Sequence, residues 1–205
     1  MVGLDARELM VVAQIEARGI RDPRVLAALR EVPRHRFVPP EWRSEAYEDH
    51  PLPIGHGQTV SQPYIVAFMA EALGLNGTER VLEVGSGSGY FAAVLSHLAG
   101  EVVGLELEPD LAARSATLLA DLGILNAALH LADGRKGWPP GAPYEAIVLS
   151  CATGDVPGAL WRQLAPGGVL LAPLGSPGDV QWLTRFKGGP GRSERLLPVA
   201  FVPLR

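Results

Sequence analysis

From residue 63 onward the apolar positions switch between two spacings, and the switching predicts the architecture. Short runs of consecutive apolar residues at 80–85, 102–106, 127–132, 145–150 and 168–173 read as strands buried on both faces. Segments of helical spacing separate them, at 63–73, 89–99, 109–122 and 156–165. Two closing strands are expected near 180–187 and 196–203. Upstream, Asp5 can cap a helix that carries Leu9, Val12, Ala13 and Ile15 at helical spacing and ends at Gly19. Asp22-Pro23 opens a second helix with Val25, Leu26 and Leu29 on its apolar face, stopping before Pro33. Residues 33–62 are rich in proline, glycine and aromatic side chains and read as a long ordered segment wrapped on the core. A segment that long in a chain of this size points to function. The alternation of helix and strand predicts an α/β protein with a doubly wound, mostly parallel sheet and an N-terminal helical extension. Residues 1–62 form the extension and residues 63–205 the core, together making one compact domain.

Composition narrows the partners. The 205 residues carry a net charge of −4 without a basic stripe, so a nucleic-acid partner is not expected. Cys151 is the only cysteine, so no intrachain disulfide can form and a reducing, cytoplasmic setting is expected. The first ten residues are too charged for a secretory signal, and no apolar run reaches the length that spans a membrane. The five histidines lack metal-ligand spacing, His50 and His56 included, so no metal is expected. No internal repeat occurs, and a monomer is expected.

The candidate chemistry begins at residues 81–90, VLEVGSGSGY, where a buried strand runs into a turn with Gly85, Gly87 and Gly89. Glycine in such a turn lets a ligand approach the backbone. The next strand ends on Glu106, an acid placed to accept from the two hydroxyls of a ribose. Asp133 falls at the end of the strand after that. A dinucleotide fingerprint needs a third glycine where Tyr90 stands, and no triphosphate-binding GxxxxGK[ST] occurs. Glycine at every second residue, led by Glu83, is instead similar to motif I of S-adenosylmethionine-dependent methyltransferases.

The upstream segment holds VPRHRFVPP (32–40) and AYEDHPLPIGHGQTVSQPYIVA (46–67). With GIRDPRVLAAL, the GSGSGY turn, ADG at 132–134, QLAPGG from 163 and the closing FVPLR, it strongly resembles the protein-L-isoaspartate O-methyltransferase family over nearly the whole chain. GQTVSQP is the specific part, since ordinary methyltransferases have no counterpart. The resemblance implies transfer of a methyl group from S-adenosyl-L-methionine to the free carboxyl of L-isoaspartyl residues in damaged proteins and peptides, with S-adenosyl-L-homocysteine as product. The ester would then collapse unaided to a succinimide, opening a route back to aspartate. Ser61 maps onto the family's active-site residue, although a serine here could also cap the helix beginning at Pro63. The resemblance places Gln58, Thr59, Val60, Glu83, Gly85, Ser86, Gly87, Gly89, Glu106, Leu107, Asp133 and Gly134 around the cofactor. It places Ile54, Thr59, Val60, Ser61, Cys151 and Ala152 around the substrate.

Some positions depart from the family pattern. Cys151-Ala152-Thr153-Gly154 replaces an alanine-rich run closed by proline, and Glu145 replaces an aspartate. Cys151 reads as a small packed thiol, because no histidine lies in a comparable strand-end motif. A carboxyl with a pKa of about 4 is already an anion at neutral pH, so the site is expected to work without a His or Lys base. Three other readings are a methyltransferase of the same lineage acting on another peptide carboxylate, a non-catalytic isoaspartyl-recognition module, and an NAD-dependent oxidoreductase, which the glycine spacing disfavours.

Overall fold

The computed structural model describes residues 4–176 and 179–205, without the side chains of Leu4 and Asp5. The cap expected of Asp5 therefore lies outside the described residues. Helix α1 (Leu4–Leu9) widens into a π-helical turn over Met10–Ile15 and tightens into a 3-10 turn over Glu16–Arg18. Each extra residue in a widened turn rotates the following side chains around the axis. The buried face consequently consists of Met10, Val11 and Ile15, while Leu9 and Val12 are exposed at 64% and 45%. This corrects the expected face, which took an unbroken 3.6-residue period. Gly19 ends the stretch with φ of 102°, a conformation that disfavours other side chains. Helix α2 (Pro23–Glu31) begins as expected, with the Asp22 carboxylate accepting from the Arg24 N–H at 2.9 Å.

The proline-rich segment contains two 3-10 turns, Arg34–Phe37 and Pro40–Glu45, and then a hairpin of strands β1 (Leu52–Gly55) and β2 (Gln58–Val60). The hairpin turns through Gly55, His56 and Gly57, all at positive φ. Helix α3 (Pro63–Leu73) follows directly.

The core strands are β3 (Arg80–Val84), β4 (Glu101–Glu106), β5 (Ala127–Leu131), β6 (Tyr144–Leu149), β7 (Leu164–Leu174), β8 (Gln181–Lys187) and β9 (Ser193–Val199). Their order in the sheet is β5-β4-β3-β6-β7-β8-β9. Strands β3 to β7 are parallel, and β8 and β9 add an antiparallel edge. Helices α4 (Tyr90–Ser96), α5 (Pro109–Asp121) and α6 (Gly158–Gln163) join them. Strand β7 begins earlier than expected because Leu164 already pairs with Tyr144 before an irregularity restores register at Val169. Strand β9 ends earlier than expected, because the chain leaves the sheet after Val199 and Pro203 bridges to Ala152 instead.

Val81–Val84 are buried on both faces of the sheet, as parallel strands between helices must be. One apolar cluster joins Met10, Leu29, Ile54 and Val60 to residues of α3, α4 and the sheet, so the extension and the sheet share a core. A second cluster, including Leu82, Ile147, Leu160 and Phe186, fills the opposite face. Glu145, uninterpreted in the sequence, accepts the Arg80 N–H at 2.8 Å and so fastens the entry of β3. From β3 the chain steps outward to β4 and β5, then returns to the other side through β6 and β7. The carboxyl end of β3, flanked by β4 and β6, is therefore the switch point where ligands of such sheets bind.

Candidate active site

Beyond β3 the backbone needs a left-handed conformation at every second residue: φ is 82° at Gly85, 53° at Gly87 and 81° at Gly89. Side-chain-bearing residues rarely adopt that conformation, which accounts for the glycine spacing. The turn is tied to its neighbour by the Gly85 and Ser86 N–H groups, which donate to the Leu105 carbonyl at 2.8 and 3.0 Å. Protein also packs behind the turn. A Cβ at Gly87 would stand 3.2 Å from Ile54 Cδ1, and one at Gly89 would stand 3.1 Å from Leu129 and Ser115. Tyr90 follows because the buried Arg34 guanidinium lies over its ring at 4.8 Å, while Arg34 Nε donates to the Ala46 carbonyl at 2.8 Å. That contact clips the extension to the turn.

Glu106 is buried at the end of β4, where Oε2 accepts from the Gly87 N–H at 2.8 Å. Its Oε1 accepts from the N–H groups of Leu107 and Glu108 at 2.7 and 2.9 Å. A carboxylate has about four lone-pair positions, so roughly one acceptor position remains for a ligand rather than the two a ribose diol would use. Glu83, in β3, is 1% exposed. Its Oε1 accepts from the Ser150 hydroxyl at 2.9 Å, and Oε2 has no partner. Burial drives its pKa up to about 7, hydrogen bonding from Ser150 and the approach of Ser86 oppose the rise, and the Glu106 charge adds to it. The Ser86 hydroxyl is also buried without a completed hydrogen bond.

Three cavities meet at this point. A cleft with about 540 Å³ of empty space is bounded by Gln58 and Thr59 of the hairpin, the glycine turn, Leu105–Leu107, Ala132, Gly134, Ser150, Cys151 and Val202–Arg205. A smaller cavity lies between Thr59, Val60 and Ser61 on one side and Glu83, Ser86 and Tyr90 on the other. An open groove runs from Thr59, Ser61 and Ser150 past Gln62 and Ile65 to Pro198–Val202.

Ser61 stands half-buried between the small cavity and the groove. Gln62, not Ser61, is the capping residue of α3, and that cap makes no side-chain hydrogen bond. The capping alternative for Ser61 is therefore corrected. Among the described residues, its hydroxyl is engaged by no other group.

Four expected residues lie elsewhere. Gly89 packs against Leu129 and Ser115 and lines none of the three cavities. The Asp133 carboxylate pairs with Arg135 at 2.9 and 3.0 Å, which holds its pKa below the usual carboxylate range. Ile54 props the far side of the glycine turn. Ala152 is occupied by the closing segment, donating to the Val202 carbonyl and accepting from the Leu204 N–H, both at 2.8 Å. Cys151 does reach the cleft wall, but burial pushes its thiol up to about 12.

Sequence reasoning missed Ser150 and the closing segment. The only signal for Ser150 was its position just after a strand that flanks the switch point. Nothing local announced that Arg205 would reach Glu108 at 2.6 Å beside the cleft. The hairpin approaches the same place, with His56 Nδ1 3.7 Å from Glu108 and Nε2 3.5 Å from Asp110.

The donor set tests what the cleft can hold. Buried Glu106 lines the cleft, buried Glu83 lines the small cavity beside it, and Arg205, the one cation lining the cleft among the described residues, is paired, so a pyrophosphate would meet repulsion. A ligand with hydroxyls at one end and an ammonium at the other satisfies the free positions of Glu106 and of Glu83 with Ser86. The nucleoside and amino-acid halves of S-adenosylmethionine have that polarity. No His or Lys lines the cleft, the small cavity or the groove among the described residues. No helix among them is long and apolar enough to cross a membrane.

Comparison with known proteins agrees with this geometry. A family model described as protein-L-isoaspartate(D-aspartate) O-methyltransferase (PCMT) matches residues 6–205. Protein-L-isoaspartate O-methyltransferase 2 of Anaeromyxobacter sp. (strain Fw109-5) is 60% identical over 202 residues, covering 97% of this chain and 83% of that one. A solved protein-L-isoaspartate O-methyltransferase superposes with a TM-score of 0.86 at 29% identity, over 96% of this chain and 65% of that longer one. A second structure, described as a beta-aspartate methyltransferase (PCMT) from Plasmodium falciparum in complex with S-adenosyl-L-homocysteine, gives 0.81 at 25% identity, over 97% and 98%.

Proposed function

The chain belongs to the protein-L-isoaspartate(D-aspartate) O-methyltransferase family, and from that premise we propose an assignment of its activity to named residues. The protein transfers a methyl group from S-adenosyl-L-methionine to the free carboxyl of L-isoaspartyl residues in damaged proteins and peptides, initiating their repair. The observation that carries the assignment is the position of Ser61. Its unengaged hydroxyl lies between an open groove and a cavity floored by the glycine turn.

Glu106, Leu107, Gln58, Gly134 and the turn Gly85–Gly87 would hold the nucleoside part of the cofactor, with Glu83 and Ser86 taking its amino group. The bound cofactor supplies an electrophilic methyl on a cationic sulfur. The chain's residues do the rest by placement. The substrate carboxylate, with a pKa of about 4, needs no base. Ser61 donates to it and fixes its direction, and Thr59 bounds the passage from the groove. Alignment of this kind turns an encounter into an effectively intramolecular reaction. Neutralisation of opposite charges is favoured where water is excluded, and the small cavity offers such a place. Glu83 serves as a fixed acceptor rather than as a proton acceptor from substrate.

An isoaspartyl residue carries one methylene in its backbone that aspartate carries in its side chain. Selectivity must come from receiving two backbone arms around a fixed carboxylate. In this reading residues 1–62 supply the substrate-binding segment, residues 63–205 the methyltransferase core, and residues 198–202 line the groove along which an extended peptide would lie. The enzyme acts as a monomer in the cytoplasm. Labelled methyl transfer to an isoaspartyl peptide and to its aspartyl twin tests the reading. Strong preference for the isoaspartyl peptide is expected; equal rates would replace it with a general carboxyl methyltransferase.

A further inference from the structure

Ser150 follows β6 directly, beside the end of β3, and borders the cleft, the small cavity and the groove alike. Among the described residues, Thr59 is the one other that borders all three. The two hydroxyl-bearing side chains therefore face the junction from opposite sides, Thr59 from the hairpin and Ser150 from the sheet. The Ser150 hydroxyl is already committed, donating to Glu83 Oε1 at 2.9 Å. Glu83 is 1% exposed, and its other oxygen has no partner.

We propose that Ser150 is a positioning residue that couples the two binding sites: its hydroxyl holds Glu83 at the wall of the small cavity, where the amino group of the cofactor would reach it, while the same side chain walls the substrate groove. The inference rests on the methyl-transfer reading above. Without the Ser150 donor, both oxygens of a buried carboxyl lack a partner, and such a group favours its neutral form. Glu83 stands near the balance point, raised to about 7 chiefly by burial. The groups facing it do not supply a competing cation. Glu106 at the end of β4 repels it, and Cys151 after β6 and Tyr90 of α4 are neutral, each pushed up to about 12. The hairpin contributes only Thr59 and Val60 to the cavity, and no Arg, Lys or His lines it.

The sign of the pH effect follows. A ligand bringing an ammonium to Glu83 binds the ionised carboxyl better, so its affinity rises with pH through about 7 and falls again once the ligand's own amino group loses its proton at higher pH. Loss of the Ser150 donor raises the Glu83 pKa and moves that midpoint upward by about one unit, or roughly fivefold weaker binding at neutral pH.

The test is calorimetric titration of the whole protein with S-adenosyl-L-homocysteine between about pH 6 and about pH 9, spanning the expected midpoint. Wild type, Ser150→Ala, Ser150→Thr and Ser150→Cys are compared, the last nearly isosteric but a poor donor in case the alanine variant folds badly. The midpoint should move upward in the alanine and cysteine variants and return in the threonine variant. Weakening that is uniform across pH, with an unmoved midpoint, would mean a purely structural serine and overturn the proposal. Peptide KM at saturating cofactor should rise in Ser150→Ala and recover in Ser150→Thr; an unchanged KM would overturn the coupling. The calorimetric arm contains no peptide. Failure of wild type to methylate isoaspartyl peptides would thus remove the substrate reading, while the midpoint still decides the role of Ser150 at Glu83.

Discussion

Replacing Glu106 with alanine removes the acceptor for three backbone N–H groups at once, those of Gly87, Leu107 and Glu108. Hydrogen bonds to a charged group contribute about 1.5–3 kcal/mol each, or roughly 5–9 kcal/mol in sum. The segment can turn part of its amides toward water, and the lost carboxylate no longer has to be desolvated, so a net loss of about 2–4 kcal/mol is expected. In a chain of this size that corresponds to a melting temperature lower by roughly 5–15 °C. Cofactor binding should weaken by about 10- to 150-fold from the acceptor position lost to the ligand alone. Disorder in the glycine turn adds to this. Glu106→Gln keeps one acceptor oxygen and should fall between the two. Thermal melting followed by calorimetric titration with S-adenosyl-L-homocysteine measures both quantities on the same samples. An alanine variant with wild-type melting and wild-type affinity would refute the idea that one carboxylate braces the turn and receives the ligand.

Ser61→Ala should lower turnover by about 10- to 150-fold while leaving cofactor affinity nearly unchanged. At saturating cofactor its pH–rate profile should keep the wild-type shape; a rising limb near neutrality that vanished in the variant would mark Ser61 as part of a base. Gly104→Ala would drive a Cβ into Leu129 Cδ2 and Ser86 Oγ beneath the turn, so urea denaturation should show a loss of about 1–3 kcal/mol. An unchanged midpoint would mean that Leu129 and Ser86 move aside freely. Cys151, with its thiol pushed up to about 12, holds almost no thiolate at neutral pH. Its alkylation should be slow in the native protein and fast only after denaturation, and rapid native labelling would contradict the burial described here.

The parts of the fold that local patterning specifies were legible. Helix α3 begins at Pro63 and ends at Leu73, as its spacing and terminal Gly74 required. The parallel strands appeared wherever apolar residues ran together, and Glu106 was readable as an acid at a strand end. The errors share a physical origin in contacts between residues distant in sequence. The π turn at Met10–Ile15 rotated the buried face because the extension packs against α2 and α3, which periodicity alone does not encode. The hairpin at 52–60 is short and contains Pro53, so its strand signal was hidden in a proline-rich stretch. Asp133 was readable as an acid at a strand end, but its pairing through both carboxylate oxygens with Arg135, two residues on, was not. Ser150 became meaningful only when β6 was laid beside β3, bringing its hydroxyl to a residue 67 positions earlier.

The docking of residues 202–205 against Ala152, with Arg205 on Glu108, has a practical bearing on how the protein is handled. Whatever peptide is joined behind Arg205 must emerge at the rim of the cofactor cleft. An affinity handle or fluorescent fusion attached there would lay its linker across the opening and compete with the Arg205–Glu108 contact. Ligand affinities measured on such a fusion would then describe the linker as much as the enzyme, and removal of the handle before titration becomes part of a sound measurement.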